Sequence, residues 1–270
     1  MTDADHPDST PAPQAGDQYV QSLARGLAVI RSFDAAHPVM TLTEVATRTS
    51  LSKATARRFL HTLVELGYVR TDGRTFELTA KVLQLGYAYL SGLSLPQLAQ
   101  PHLEELSLKL GESTSAAVLD GTDIAYIARI TTRRIMNVGI TVGTRFPAYA
   151  TSMGRVLLAH LPPADLTAYL AEAEIKPRTP LALGNVTELV AALDTVRTQG
   201  WCLLDQELEL GLMSVAAPVY DGSKVVAAVN VSLQTQSVTA KRDPDKYIAS
   251  VVQEIVATAK LVSTDLSAQG

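Results

Sequence analysis

Residues 41–67 read TLTEVATRTSLSKATARRFLHTLVELG and carry two helical patterns separated by a tight turn. Thr41 and Glu44 stand in the capping-box relation that begins a helix, and a short apolar face follows them. A longer helix is predicted for residues 53–66, because apolar side chains recur there at helical spacing and Gly67 stands where helices commonly end. Short helix, turn and longer helix, in this order, are typical of a helix-turn-helix.

A helix precedes this unit and a hairpin follows it. The first helix is indicated by apolar residues at helical spacing before His37-Pro38, namely Leu23, Leu27, Ile30 and Phe33. After Gly67, strand-like segments flank Asp72-Gly73, which predicts a two-stranded hairpin with a type I′ turn. Thr79 is placed to cap a further helix. We therefore expect a winged helix-turn-helix over residues 19–78 and a linker helix over residues 79–92.

Charge divides the chain into three parts. Residues 1–18 hold four acids, three prolines and no Lys or Arg, which is typical of a disordered tail. Residues 19–91 hold nine basic and five acidic side chains, whereas residues 92–270 hold fourteen and eighteen. The three parts carry −4, +4 and −4, which sum to the formal net charge of −4. A small basic module suited to a polyanion is thus followed by a larger acidic module with another task.

The composition excludes several classes of protein. A chain of 270 residues with 47% hydrophobic side chains can bury a substantial core. Cys202 is the single cysteine, so an intramolecular disulfide and a multi-cysteine metal centre are excluded. The histidines lack close metal-ligand spacing, and we expect no cofactor. No apolar run approaches the roughly 18 residues of a membrane span and no signal peptide begins the chain, so we expect a cytoplasmic protein.

The acidic module, residues 93–270, has the pattern of an α+β domain. Consecutive strands joined by short turns imply a mostly antiparallel sheet with helices packed against it. The predicted helices cover residues 96–110, 152–161, 164–173, 187–199 and 244–266, and the predicted strands cover residues 115–119, 124–130, 135–142, 201–204, 215–220 and 225–233.

The longer helix of the basic module carries residues suited to DNA recognition. Its apolar stripe leaves four side chains on or near the opposite surface, close to the helix N-terminus: Lys53, Thr55, Arg57 and Arg58. In a helix-turn-helix this surface meets base edges and phosphates in the major groove. Arg70 and Arg74 stand around the hairpin tip, where a wing contacts the DNA backbone or the minor groove. The alternative is an ordinary solvated helix face.

A candidate ligand site lies where the helix of residues 152–161 begins. A helix N-terminus attracts anions, and the hydroxyls of Thr151 and Ser152 offer further hydrogen bonds. Gly154 would allow a ligand to approach the backbone, and a small carboxylate is the natural guest. Alternatively, Thr151 or Ser152 simply caps the helix.

Other polar residues of the acidic module are candidates for the same ligand. Asn230 and Ser232 are two apart in an apolar strand and would face one side together, although they would equally suit a hydrogen-bonded pair under a polar surface. A guanidinium can grip both oxygens of a carboxylate. Three arginines are therefore candidates for binding the carboxylate of the ligand: Arg133, Arg134 and Arg145. Arg145 is preferred, and the alternative role for it is an exposed surface residue or a subunit contact.

Five segments resemble the IclR-type transcriptional regulators. SLARGL (22–27), LSKATARRFL (51–60) and LGYV (66–69) look like the winged helix of that family, and GTRFPAYATSMGRVLLA (143–159) and DQELELG (205–211) resemble its effector-domain signatures. The resemblance covers about residues 20–266 and is especially close to the branch that controls aromatic-acid catabolism through the β-ketoadipate pathway. The acidic tail and Gly26, where the family more often has alanine, depart from the pattern.

This resemblance implies a GAF-like effector domain joined to the DNA-binding domain by the linker helix. The implied effector pocket is lined by the start of the helix, Thr151-Ser152-Met153-Gly154, and by Asp205, Ser214, Asn230 and Ser232. The implied effector is protocatechuate, 4-hydroxybenzoate or a pathway intermediate such as β-ketoadipate. A dimer formed through the DNA-binding domains, often joined into a tetramer, would bind a palindromic operator.

Three other functions compete with this hypothesis. A regulator of the same fold would sense a different small organic acid, and a DNA-binding scaffold would use its second domain only to oligomerise. An esterase would use Ser152 as nucleophile with His102 or His160 as base. The sequence around Ser152 has only the second half of the G-x-S-x-G elbow, so we expect no enzyme activity.

Overall fold

A computed structural model describes residues 19–85, 95–132 and 140–268. Residues 19–85 and 95–268 belong to two separate compact units. The predicted tail at residues 1–18, residues 86–92 of the predicted linker helix and residues 135–139 of a predicted strand lie outside the described residues. Within the described ranges, no helix is long and apolar enough to cross a membrane.

Residues 19–78 of the first unit form three α-helices and a three-stranded sheet. The helices are α1 (Gln21–Arg31), α2 (Leu42–Arg48) and α3 (Lys53–Glu65), and the strands are β1 (Val39–Thr41), β2 (Val69–Thr71) and β3 (Thr75–Leu78). The antiparallel sheet has the order β1-β3-β2, so β1, which the sequence analysis missed, adds to the predicted hairpin. The predicted helix-turn-helix and wing are confirmed, and Thr79 caps a short 3₁₀ helix, Ala80–Val82.

Capping and apolar spacing place the helices of this unit. Thr41 and Glu44 form the predicted capping box of α2. Ala56, Leu60 and Leu63 of α3 are buried, as their spacing predicts, but Leu66, the fourth residue of the predicted stripe, follows the end of the helix and is 52% exposed. The apolar stripe of α1 behaves differently, because Leu23 is 63% exposed and is not part of the core of this unit.

The wing turn differs from the predicted type I′ turn. The last pair of the hairpin is Thr71 and Phe76, so four residues lie between the paired positions rather than two. A type I′ turn needs positive φ at both central residues, whereas only Gly73 of the Asp72-Gly73 pair has one, at 91°. Asp72 Oδ1 instead accepts hydrogen bonds from the N–H groups of Thr75 (2.7 Å) and Arg74 (2.8 Å), so the carboxylate closes the loop.

The second unit is an α+β domain built on one antiparallel sheet, as predicted. Its strands are β4 (Ser113–Asp120), β5 (Asp123–Ile130), β6 (Arg145–Pro147), β7 (Cys202–Asp205), β8 (Leu212–Asp221) and β9 (Lys224–Gln234), in the order β6-β5-β4-β9-β8-β7. Its helices are α4 (Leu95–Leu110), α5 (Ser152–Ala159), α6 (Pro163–Glu172), α7 (Val186–Gln199), α8 (Thr235–Thr239) and α9 (Pro244–Ser267).

One predicted strand is wrong in its described part. Residues 140–142 form no strand, because the chain turns there: the hydroxyl of Thr144 accepts a hydrogen bond from the N–H of Thr141, and Gly143 has a φ of 87°. The strand at this place is β6, which pairs with the outer side of β5.

The sheet separates two cores. On one face, α4 and α9 pack against residues such as Val229 and Val231 of β9. On the other face, α5 and α7 pack against residues such as Ala228 of the same strand. Asn230 and Ser232 alternate with the two valines and therefore share the α5 face, as their spacing predicts. The polar residues of β9 are thus directed toward the start of α5.

Candidate functional site

The exposed face of α3 carries three positive charges. Ser52 caps the helix by accepting a hydrogen bond from the N–H of Thr55 (3.2 Å), and the two hydroxyls are 2.8 Å apart. Lys53, Arg57 and Arg58 are exposed, and no ion pair joins any of them to a carboxylate within the described residues. Their charges are therefore available to an external polyanion.

The wing contributes one free arginine and one paired arginine. Arg70 lies directly across the hairpin from Glu77, and its Nε donates to Glu77 Oε1 at 2.5 Å. This hydrogen bond from the Arg70 guanidinium lowers the pKa of the Glu77 carboxyl. Arg74 lies in the exposed loop at the tip and has no ion pair in the described part of the chain. Of the two, Arg74 is the better placed to meet DNA.

A narrow polar cavity opens at the start of α5 in the second unit. Its free volume is about 20 Å³, which is room for about one water molecule. The side chains that line it come from α5 and its N-cap, from β5, β8 and β9, from the loop between β7 and β8 and from the segment before β6. They include Tyr126, Ile140, Thr151, Ser152, Met153, Glu207, Leu208, Ser214, Asn230 and Ser232. We call this space the polar cavity.

Thr151 and Gly154 have structural tasks at this helix start. The hydroxyl of Thr151 accepts a hydrogen bond from the N–H of Gly154 (3.0 Å), so Thr151 is the cap of α5. A Cβ on Gly154 would lie 2.0 Å from the carbonyl oxygen of Ala148. Position 154 therefore requires glycine, because a side chain there would collide with the neighbouring backbone. This reason replaces our expectation that Gly154 makes room for a ligand.

The remaining residues of the helix start join a polar network. Ser152 Oγ is hydrogen-bonded to Ser214 Oγ, which accepts a hydrogen bond from Asn230 Nδ2 at 3.3 Å. The same amide nitrogen donates to Ser232 Oγ at 3.3 Å. Within the described residues, the N–H groups of Ser152 and Met153 have no acceptor. Four predicted site residues thus meet in one network beside two free backbone donors.

Tyr126 closes another side of the polar cavity. Burial raises the pKa of its hydroxyl to about 12, so this group stays protonated at neutral pH. A protonated phenol both donates and accepts hydrogen bonds. The cavity therefore presents hydroxyl, amide and backbone N–H groups, which suit a small polar guest.

Three predicted site residues do not line the polar cavity, Gly154 among them. Arg145 is exposed on β6 and forms ion pairs with Asp120 and Asp123, the latter at 3.2 Å between Nε and Oδ2. Its charge is thereby neutralised at the edge of the sheet. Asp205 is exposed and accepts a hydrogen bond from the hydroxyl of Thr235 at 3.1 Å. Arg133 and Arg134, the other predicted arginines, lie outside the described residues.

The sequence analysis missed a buried ion pair beside the polar cavity. The guanidinium of Arg155 donates to both carboxylate oxygens of Glu207, at 2.9 Å and 2.5 Å, and its Nε donates to the carbonyl of Tyr149 at 2.9 Å. Glu207 also accepts a hydrogen bond from the N–H of Leu183 at 3.1 Å. The pair joins the loop between β7 and β8 to α5. The sequence feature that could have predicted this ion pair is an arginine at a position of the helix that is buried.

Within the described residues, the site does not form the serine–histidine contact that an esterase needs. The hydroxyl of Ser152 contacts Ser214, not a histidine. Both ring nitrogens of His160 are within hydrogen-bond reach of other groups, the carbonyl of Val156 and the hydroxyl of Tyr220, whereas His102 contacts Asp265. Burial raises the pKa of the Cys202 thiol to about 12, so this cysteine is not an activated nucleophile either.

Together, the fold and the two sites define a protein with a winged helix-turn-helix for DNA and a separate domain with a small polar cavity. Residues 22–73 match the IclR helix-turn-helix domain, and residues 87–264 match the family described as bacterial transcriptional regulator IclR C-terminal. The chain belongs to the IclR family of DNA-binding transcriptional regulators; it is not an enzyme.

Two relatives and one structure illustrate this membership. The chain is 47% identical to the Pca regulon regulatory protein of Pseudomonas putida over 85% of its own length and 80% of that protein. It is 36% identical to the p-hydroxybenzoate hydroxylase transcriptional activator of Acinetobacter baylyi, over 86% and 88% of the two chains. A crystal structure of an IclR homologue from Microbacterium hydrocarbonoxydans complexed with 4-hydroxybenzoate has the same fold, with a TM-score of 0.80 and 23% identity over 92% of this chain and all of that one.

Proposed function

We propose that this regulator senses a small organic acid of an aromatic catabolic pathway, either an aromatic acid or β-ketoadipate, and controls genes of aromatic-acid catabolism. The network of Ser152, Ser214, Asn230 and Ser232 in the polar cavity carries the proposal, because four polar side chains converge there beside free backbone donors. The names of the two relatives support the pathway, and the same fold binds 4-hydroxybenzoate in the Microbacterium protein. Protocatechuate, 4-hydroxybenzoate and β-ketoadipate are the first candidates.

The DNA-binding part of the proposal rests on α3 and the wing. Lys53, Thr55, Arg57 and Arg58 enter the major groove, and Arg74 contacts the phosphate backbone. Arg70 acts as a secondary backbone contact, because Glu77 shares its charge.

The operator is palindromic in this proposal, because the protein binds it as a dimer. Support for a dimer comes from a groove on the first unit between α1 and α3, where Leu23, Leu27 and Leu66 are exposed. Leucines on one surface favour burial against a second apolar surface. A tetramer would require a further contact through the second unit. The regulator acts in the cytoplasm, where its operator lies.

Effector binding and operator binding are coupled through movement of the cavity lining. A cavity of about 20 Å³ is too small for an aromatic ring, so the loop of residues 206–211 must move when such a ring enters. Glu207 joins this loop to α5, and any displacement of the loop therefore acts on the helix. A ligand changes operator affinity only by binding one arrangement more tightly than another.

A thermal-shift titration of the full chain tests the sensor. The wild type, Ser152→Ala and Arg145→Ala are titrated with protocatechuate, 4-hydroxybenzoate, β-ketoadipate, pyruvate and glyoxylate. We expect saturable stabilisation by one of the first three acids, because a ligand stabilises the state that it binds. Ser152→Ala weakens this response, whereas Arg145→Ala, outside the cavity, leaves it unchanged. If no aromatic acid or pathway intermediate stabilises the wild type, the proposed effector class is wrong.

A further inference from the structure

Arg129 on β5 lies on the cavity side of the sheet without a carboxylate partner. Strand register places it directly beside Ser115 of β4, and its Nη1 donates to Ser115 Oγ at 2.9 Å. On the same strand, Tyr126 lines the polar cavity, whereas Arg129 lies outside its present lining. The Nε of Arg129 is buried, and neither it nor the rest of the guanidinium has an acidic partner within the described residues. The hydrogen bond to Ser115 is thus the polar contact that the structure shows for the Arg129 guanidinium.

The environment of Arg129 disfavours its own charge. Burial lowers the pKa of the guanidinium, the opposite of the effect that a bound carboxylate has. A partly buried cation without a counter-ion is costly, and an anionic ligand removes this cost. Arg155 and Arg145 of this unit differ from Arg129, because Arg155 is paired with Glu207 and Arg145 is paired with two aspartates.

A second unsatisfied group lies two strands away. Asn230 is 3% exposed, and its Nδ2 donates to Ser214 and Ser232, whereas its Oδ1 has no hydrogen-bond partner in the described part of the chain. A buried carbonyl oxygen without a donor is unfavourable, because it has given up its hydrogen bonds to water without a replacement. Asn230 faces the polar cavity and therefore offers an acceptor to a ligand that carries a hydroxyl.

Strand register sets the distance between these two groups. Ser115 pairs with Arg129 on one side and with Asn230 on the other, so the three residues lie in one row across β5, β4 and β9. Adjacent strands are about 4.8 Å apart, so the backbones at the ends of the row are about 10 Å apart. A ligand that reaches both side chains therefore needs polar groups at opposite ends, and it needs the cavity to widen as proposed above.

We propose that Arg129 binds the carboxylate of the effector and that Asn230 Oδ1 accepts a hydrogen bond from a hydroxyl at its opposite end. The inference rests on the proposed function, which it sharpens: the effector is a hydroxylated aromatic acid in a defined orientation. Ser152 and Ser214 then lie at the hydroxyl end. Benzoate has no hydroxyl that could donate a hydrogen bond to Asn230 Oδ1, and an acyclic diacid has none either.

Isothermal titration of the full chain with three related ligands tests the inference. The ligands are 4-hydroxybenzoate, benzoate, which lacks the hydroxyl, and 4-hydroxybenzamide, which lacks the negative charge. We expect wild type to bind 4-hydroxybenzoate more tightly than the amide by roughly 10- to 100-fold, the range for a hydrogen bond to a charged group. It should bind 4-hydroxybenzoate more tightly than benzoate by roughly 5- to 100-fold, the range for leaving a buried acceptor unsatisfied. Equal affinity for the acid and the amide in wild type would overturn the role of Arg129 without any variant.

Two variants assign the preferences to the residues. Arg129→Gln should remove the preference for 4-hydroxybenzoate over the amide. Asn230→Leu should remove the preference for 4-hydroxybenzoate over benzoate. Arg145→Gln, a matched loss of an arginine on the neighbouring strand, should change neither. If Arg129→Gln binds 4-hydroxybenzoate as wild type does, the inference is wrong and the proposed function stands. If wild type binds β-ketoadipate but no hydroxylated aromatic acid, the inference alone is wrong; if it binds neither, both fail.

Discussion

Glu207 receives two hydrogen bonds from the guanidinium of Arg155, and the pair is almost completely buried, with the two side chains 13% and 4% exposed. A loop residue of the polar cavity is thereby joined to the helix whose start forms the cavity wall. Neither group can be removed alone without leaving the other charge in a poorly solvated place.

Arg155→Met should therefore destabilise the second unit strongly. Breaking a buried pair by removing one partner costs about 3–5 kcal/mol, because Glu207 remains as an uncompensated charge. Urea unfolding of the full chain, followed by fluorescence of Trp201, measures the loss. Arg197→Met, at an exposed ion pair with Asp194, should cost much less. Equal effects of the two substitutions would contradict the role given to the buried pair.

Gly154→Ala and Gly26→Ala should have opposite effects. In the first, the new Cβ meets the carbonyl of Ala148 at 2.0 Å, so backbone must move and the start of α5 is destabilised. In the second, the nearest atoms are those of the Phe59 ring at 3.8 Å, and alanine should stabilise α1 by about 0.5–1 kcal/mol. Thermal unfolding of both variants checks the signs; a neutral Gly154→Ala would disprove the close approach.

Arg57→Ala should reduce the preference for operator over random DNA. If the side chain reads a guanine, the loss on the operator is about 1–3 kcal/mol and the affinity for random duplex changes little. Fluorescence anisotropy on both duplexes at fixed salt distinguishes a contact to a base from a contact to a phosphate. Arg70→Ala, where the charge is shared with Glu77, is the control and should show no loss of sequence preference. An equal loss on both duplexes would make Arg57 a phosphate contact.

Acidification should loosen the wing through Asp72. Hydrogen bonds from the N–H groups of Thr75 and Arg74 lower the pKa of this carboxyl below its ordinary value of 3.8. The contribution of Asp72 is complete above that value and is lost as the pH falls through the lowered pKa of the folded hairpin. NMR titration of Asp72 measures this pKa directly. Asp72→Asn keeps the acceptor oxygen and should abolish the pH dependence; an Asp72 pKa at or above 3.8 would contradict the loop geometry.

Local sequence patterns were enough to predict most elements of both units. The capping box of Thr41 and Glu44, the α3 stripe and the alternation of Asn230 with the valines beside it depend on neighbours within one helix or strand. The strand β1 was missed because its pairing with β3 joins segments more than thirty residues apart. For the wing turn, Asp-Gly alone did not reveal that the Asp72 carboxylate closes a longer loop.

The candidate site was predictable in part for the same reason. Ser152 and Asn230 were found from a helix start and a strand pattern, and the structure joins both through Ser214. The arginines were not predictable, because their partners depend on long-range pairing. Arg145 meets Asp123 through the register of β5 and β6, and Arg129 is directed to the cavity side by the register of β4 and β5.

Operator affinity measured with and without effector tests the central claim most directly. A duplex selected from random sequence by the full chain is titrated by anisotropy, alone and with saturating 4-hydroxybenzoate or protocatechuate. We predict at least about a 5-fold change in the dissociation constant of the operator, the lower range of allosteric coupling, and a loss of this change in Arg129→Gln. An acid that saturates the wild-type protein while the operator affinity stays the same would contradict a ligand-responsive regulator.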